Sequence, residues 1–237
     1  MVFHDEFNGE GLPDAALWGY EKGYIRNGEK QYYVVERLEN SYQKDGYLHL
    51  VIRNDSAEID GKIRPVTSAS VHTKKKGEWQ YGKIEVRAKL PSSLGTWPAI
   101  WMLPAVNSFG KWPKSGEIDI MENVGYDPLK IHFTVHSEKY NHTKNTQLTH
   151  SFECATAVSD FHIYTLEWQK NRIVWYFDGE KRYSVEKTED SWEAWPFDQA
   201  FYLILNSAFG GGWGGQKGVD FTQLPQEYLI DYVRVYQ

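Results

Sequence analysis

The chain has 237 residues, 41% of them hydrophobic and 24% charged, the balance of a globular protein with enough apolar mass for a substantial core. A formal net charge of −6 argues against a nucleic-acid backbone as partner, and no apolar run approaches the ~20 residues of a membrane span. The single cysteine, Cys154, excludes an intrachain disulfide and a cysteine-based zinc cluster.

The opening MVFHDEFNG lacks the charged-then-apolar pattern of a secretion signal. Strand-like segments then recur in chain order: GYLHLVIR (46–53), KIEVRAKL (83–90), PAIWMLP (98–104), EIDIME (117–122), IHFTVHS (131–137), FHIYTLEWQ (161–169), RIVWYFDG (172–179), FYLILNSA (201–208) and YLIDYVRVYQ (228–237). Turn signals separate them, among them Lys44-Asp45-Gly46, Asp60-Gly61 and Asp178-Gly179, and Phe161 to Val185 reads as consecutive hairpins. No helical pattern lasts more than a turn or two. With no repeat and no low-complexity linker, residues 1–237 are expected to form one domain, an all-β sandwich of two antiparallel sheets.

Aromatic residues make up 16% of the chain, with 10 Trp and 16 Tyr, which suits a surface that stacks on flat amphipathic partners such as a neutral polymer. In TWPAIWML, alternation puts Trp97, Ala99 and Trp101 on one face and Ile100 and Met102 on the other. A stacking platform is the favoured reading, with core aromatics as the alternative. Cys154, in SFECATAVSD, has no basic or imidazole neighbour in sequence and is expected to be an inert packed thiol.

The chemistry concentrates in GEIDIMEN (116–123). Strict alternation sends Glu117 and Asp119 to one face and Ile118 and Ile120 to the other, but it would also send Glu122 into the core, where an unpaired carboxylate costs several kcal/mol. A β-bulge at Met121 would return Glu122 to the acidic face. Glu117 and Glu122 would then lie about 13 Å apart at Cα, at ~3.3 Å per residue, a gap that sheet curvature and two long side chains narrow. Two carboxylates on one face are what glycosidic bond cleavage requires, one as nucleophile or base and one as proton donor. Asp119 between them would share a proton and support an ionised Glu117, leaving Glu122 as the acid with the raised pKa. The alternative is a solvated acidic edge strand that guards against aggregation.

Glu117-Ile-Asp119-Ile-Met-Glu122 matches E-x-D-x-x-E, and the chain resembles glycoside hydrolase family 16 in its laminarinase-like branch. The resemblance runs through DEFNG (5–9), Asn27-x-Glu29-x-Gln31, YGKIEVRAKLP (81–91), GTWPAIWMLP (95–104), WPKSGEIDIMENVG (112–125), TVHS (134–137), ILNSAFGGGW (204–213) and DYVRVYQ (231–237). It implies a β-jelly-roll sandwich whose concave sheet forms an open cleft, and an endo-acting, retaining hydrolase of β-1,3-glucan or mixed-linkage β-1,3/1,4-glucan. By motif position Glu117 would be the nucleophile, Glu122 the acid/base and Asp119 their assistant. Trp97 and Trp101 would flank the sugar on the non-reducing side, with Arg87 and Asn27 as nearby donors, His136 beside the carboxylates and Trp213 over a further sugar.

The resemblance also implies a structural calcium held by Glu6, Gly46 and Asp231, oxygen ligands of the kind calcium takes. The Asp55–Gly61 run fails the EF-hand spacing, and the eight histidines form no H-E-x-x-H pair; His132 and His136 are four apart but fall on one face of a strand with a Thr between. His136 is preferred as the cleft contact and His132 as a satisfied sheet residue. A monomer is expected, secreted, periplasmic or cell-surface, with any leader absent from this chain. A carbohydrate-binding module is the rival reading, disfavoured because both glutamates are present. Transglycosylation shares the covalent intermediate, but family members of that kind usually lack the extra residue before the last Glu and carry a cysteine-bonded C-terminal extension, so it is not the expected activity.

Overall fold

Alternation along the strands is what builds the two layers. In Gly82–Lys89, Ile84, Val86 and Ala88 are buried while Lys83, Glu85 and Arg87 face outward. A computed structural model describes residues 1–237, and repeating that pattern gives an all-β jelly-roll sandwich of two eight-stranded sheets. The outer sheet orders Glu180–Glu186, Arg172–Phe177, His162–Gln169, Gly82–Lys89, Gln226–Tyr236, Tyr47–Ile52 and Ser41–Lys44, with Phe3–Asp5 also paired to Gln226–Tyr236. The cleft sheet orders Leu148–Glu153, Lys130–His136, Glu117–Glu122, Thr96–Pro104, Phe201–Phe209, Ser70–His72 and Gly19–Tyr20, with Glu78–Trp79 on Phe201–Phe209. All of these pairings are antiparallel.

Between the sheets, a cluster of 37 buried residues runs from Phe3 to Val235, so both ends of the chain contribute to one core. Trp168 and Trp175 are two of its five tryptophans; Trp168 meets Phe201 edge-on and Trp175 stacks beside Phe133. The only helical pieces are two short 3₁₀ turns, and no helix is long and apolar enough to cross a membrane.

The nine expected strands all form, with bounds that differ by a residue or two in either direction, Thr96–Pro104 longer and Arg172–Phe177 shorter than expected. The Asp-Gly turns close hairpins as expected: Asp45-Gly46, Asp60-Gly61 and Asp178-Gly179 all have positive φ at both positions, the primed turn that matches strand twist. Leu148–Glu153 was not legible as a strand. It is an edge, half-buried on one face and carrying Thr149, Ser151 and Glu153 on the other, so tertiary pairing rather than composition makes it extended.

The calcium expectation meets a specific obstacle. Glu6 follows Phe3–Asp5 and Gly46 precedes Tyr47–Ile52, and both of those strands lie against the strand that carries Asp231. However, the Glu6 carboxylate is held by Arg234 through two hydrogen bonds of 2.8 and 2.7 Å, and the Asp231 carboxylate is held by Arg87. Both negative charges are thereby neutralised by guanidinium groups, and the set as it stands does not fit a calcium ion.

Candidate active site

The acidic strand Glu117–Glu122 pairs with Thr96–Pro104 on one side and Lys130–His136 on the other, and both ladders slip at the same place. Asp119 faces Thr134 and Glu122 faces His132, so three steps on the acidic strand span two on its partner. On the other side Trp101 faces Asp119 and Ile100 faces Met121, which leaves Ile120 as the extra residue. Ile120 and Met121 therefore both enter the core, fully buried, while Glu117, Asp119 and Glu122 line a single cleft of about 1030 Å³. Gly116, at φ 90°, turns the chain into this strand where a Cβ would meet Pro196 Cγ at 2.9 Å.

The three acids form one electrostatic unit. Burial pushes the Glu117 carboxyl up to about 8, reinforced by the Glu122 charge and opposed by Arg26 and by hydrogen bonding with Trp112 and Asp119. Burial raises Glu122 to about 7, opposed by the Trp97 indole, whose Nε1 donates to Glu122 Oε1 at 3.0 Å. Asp119 is raised well above the carboxylate range by burial and by both glutamates. Both glutamates are thus raised, Glu117 by burial and the Glu122 charge, Glu122 by burial. Glu117 feels its neighbour's charge on top of burial, whereas Glu122 keeps a dedicated donor.

His136 Nε2 lies 3.6 Å from Glu117 Oε1 and 3.5 Å from Asp119 Oδ2. Burial lowers His136 to about 3, so at neutral pH it is an uncharged partner of the acids. Glu117, Asp119 and His136 are also the one group of side chains placed to share a metal ion, with ligand atoms within 4.8 Å of one another.

Around this centre the cleft is aromatic. Trp213 meets both Trp97 and His132 edge-on, at 5.5 and 4.9 Å between ring centroids. Trp101 is 7% exposed, with the Arg26 guanidinium 4.8 Å over its ring and its Nε1 donating to Asn206 Oδ1 at 2.7 Å. It is a fixed wall more than a bare platform, since Asn206 is itself bonded by Tyr33 at 2.9 Å. Asn27, in the left-handed region at φ 57°, donates to Glu29 Oε1 at 3.1 Å, and Gln31 Nε2 donates to Glu29 Oε2 at 2.6 Å. Gln31 Oε1 in turn accepts from the Phe209 amide, tying this loop to the cleft sheet. Burial raises the Glu29 carboxyl, with Arg26, Gln31 and Asn27 opposing.

Of the expected site residues, Glu117, Asp119, Glu122, Trp97, Trp101, His136, Asn27 and Trp213 all line this cleft. Arg87 does not. It stands on the outward face of the outer sheet, paired with Asp231 and stacked over Phe161, because alternation along Gly82–Lys89 gives the core to Val86 and Ala88. The cleft arginine is Arg26, paired with Glu21. His132 also departs from expectation: it lines the cleft opposite Glu122, made neutral by burial that lowers it to about 4.

Trp112, 39% exposed, was not singled out in the sequence, although it opens the same WPKSGEIDIMENVG run. It lies 5.8 Å from His136 and 5.0 Å from His142 between ring centroids. The fold also gives Cys154 an imidazole that sequence distance concealed, His162 Nε2 at 3.8 Å. That nitrogen sits 3.1 Å from both the Thr156 hydroxyl and carbonyl, and Nδ1 lies 2.7 Å from Asp178, so the ring is committed to tying a loop.

Comparison with known proteins places the chain among characterised relatives. The sequence model of Glycosyl hydrolases family 16 matches residues 28–234. A beta-glucanase of Rhodothermus marinus is 45% identical over 246 aligned positions, covering 100% of this chain and 85% of that protein. The crystal structure of the laminarinase from Rhodothermus marinus superposes with a TM-score of 0.95 at 46% identity, covering 100% of this chain and 96% of that one. A non-specific endo-β-1,3(4)-glucanase of the same family, solved with 1,3-β-D-cellobiosyl-glucose at its active site, gives a TM-score of 0.95 at 41% identity, covering 100% and 93%. Other curated relatives are longer proteins, of which the chain spans 34%, 38% and 55%.

Proposed function

The chain belongs to the glycosyl hydrolases family 16, and from that premise we propose that its cleft cuts internal linkages of β-1,3-glucan or mixed-linkage β-1,3/1,4-glucan with retention of configuration. The observation that carries this reading is the bulge at Ile120-Met121, which puts Glu122 on the same face as Glu117 and Asp119.

The first step needs an anion at one glutamate and a proton on the other. Anion-stabilising neighbours converge on Glu117: the Trp112 and Asp119 hydrogen bonds and the Arg26 charge all favour its ionised form. Once Glu122 carries a proton, its charge no longer opposes that ionisation. Glu117 then attacks the anomeric carbon as the glycosidic C–O bond breaks, and the Glu122 proton passes to the departing oxygen. In the second step Glu122, now a carboxylate, takes a proton from water, whose oxygen displaces Glu117 from the sugar. Asp119, whose carboxyl burial and both glutamates push up, donates a hydrogen bond that favours the ionised form of Glu117.

The aromatic walls supply binding that does not depend on linkage chemistry. Trp97 and Trp213 present ring surface and edge to sugar C–H groups, and Asn27, Arg26 and Gln216 offer hydrogen bonds to hydroxyls. A polymer that cannot enter a cell must be cut outside it, which supports a secreted, periplasmic or cell-surface location.

Laminarin and barley glucan test the reading together. Oligosaccharides from either polymer, with the β-anomer formed first by proton NMR, are the expected result. An α-anomer first, or no cleavage of both polymers, overturns it.

A further inference from the structure

The acidic strand is held from the far side of the core. Trp175 belongs to Arg172–Phe177 in the outer sheet, and its Nε1 donates across the sandwich to the backbone carbonyl of Asp119 at 2.9 Å. The ring is completely buried, packed beside Phe133 and Tyr183 at 6.3 and 5.3 Å between centroids, and it lines no part of the cleft.

The acceptor is the peptide that enters the bulge. Ladder carbonyls in a regular antiparallel sheet lie near the sheet plane and point along it to a neighbouring strand. The Asp119 carbonyl reaches instead toward the opposite sheet, immediately before the extra residue Ile120. Ile118, Ile120 and Met121, its neighbours along the strand, are all fully buried in the core, and Phe133 stacks beside Trp175, so a carbonyl directed there needs a protein donor. Trp175 is that donor. Trp168, in the neighbouring strand His162–Gln169, is just as buried but its Nε1 has no partner, so burial of an indole in this core does not by itself bring such a bond.

We infer that Trp175 is a positioning residue of the hydrolase, which fixes the tilt of the Asp119–Ile120 peptide and thereby the angle at which Glu122 meets Glu117 and Asp119. The inference rests on the glucanase reading. Without the indole N–H, the peptide is free to rotate back toward the ladder, and the side chains before and after it turn with it.

Replacement of Trp175 by β-(3-benzothienyl)alanine exchanges the N–H for sulfur and keeps the ring, while Trp175→Phe and Trp168→Phe provide genetic counterparts. The benzothienyl variant is expected to keep the native circular dichroism and a KM within about twofold. Its kcat on laminarin should fall by between about tenfold and a hundredfold, with displaced limbs in the pH profile. Trp168→Phe should lower Tm but leave kcat and both limbs in place. A benzothienyl variant with wild-type kcat and limbs overturns the inference. So does an equal loss in Trp168→Phe, or failure of the benzothienyl variant to fold, since either makes the indole a matter of stability alone. If the unaltered protein cuts neither laminarin nor barley glucan, the glucanase reading falls first and takes this inference with it.

Discussion

The Trp97 indole donates to Glu122 Oε1 at 3.0 Å and is the one neighbour that favours the ionised form of that glutamate against burial. Trp97→Phe keeps an aromatic wall but removes the donor, so Glu122 should hold its proton to a pH above its present value of about 7. As Glu122 must be protonated in the first step, the alkaline limb of kcat/KM should move to higher pH, although that limb reports the acid cluster as a unit. A limb that stays in place or moves down contradicts the role given to Trp97.

The two glutamates can be told apart with azide. Glu117→Ala should lose nearly all turnover, and added azide should restore it on an activated aryl glucoside with an α-configured glycosyl azide as product. Glu122→Ala should lose about 10²- to 10⁴-fold on polysaccharide, the range of a lost general acid, and yield a β-configured azide. Product configuration by NMR decides between them, and exchanged configurations would reverse the assignment.

Much of this site was legible because it depends on a counting rule. A five-residue separation between Glu117 and Glu122 is incompatible with a shared face unless one residue is added, and the structure adds Ile120-Met121 as a bulge whose two side chains are both apolar. Arg87 was placed in the cleft by the resemblance alone, and alternation along its strand, which the topology assigns to the outer sheet, turns it outward instead. Arg26 was hidden for another reason. It sits on a loop whose backbone, left-handed at Asn27 and Gly28, has no period to read. Trp175 was visible only as a core aromatic, and its bond to Asp119 spans 56 positions of sequence and the whole thickness of the sandwich.

The two arginines should separate cleanly in solution. Arg26 lies over Trp101, and its charge favours ionised Glu117, so Arg26→Gln should raise the Glu117 pKa and move the acid limb of kcat/KM to higher pH. KM should rise as well, because the cation fixes the Trp101 wall. Arg87→Gln should leave kcat/KM within about twofold and cost no more than about 1 kcal/mol of stability, the usual worth of a partly exposed ion pair. Equal catalytic defects in both variants would put Arg87 back in the cleft.

Stability should carry a signature of the buried acids. An unfolded glutamate titrates near 4.5, whereas the folded protein holds protons on Glu122 and Glu117 up to about 7 and 8. Between those limits the native state binds more protons than the unfolded one, so stability falls as pH rises. The buried imidazoles act in the opposite sense. His136 and His132, lowered to about 3 and 4 from 6.5, leave the unfolded chain with more bound protons below pH 6.5, so stability climbs as pH approaches that value. Above about 6.5 the imidazole contribution is spent and the carboxylates alone set the slope. Tm should therefore fall from pH 6.5 to 8.5 in the unaltered protein, and Glu117→Gln/Glu122→Gln, measured calorimetrically over the same range, should flatten that fall. An unchanged slope in the double variant would mean that the two glutamates are already ionised at pH 6.5, and that the proton available to the leaving group comes from elsewhere.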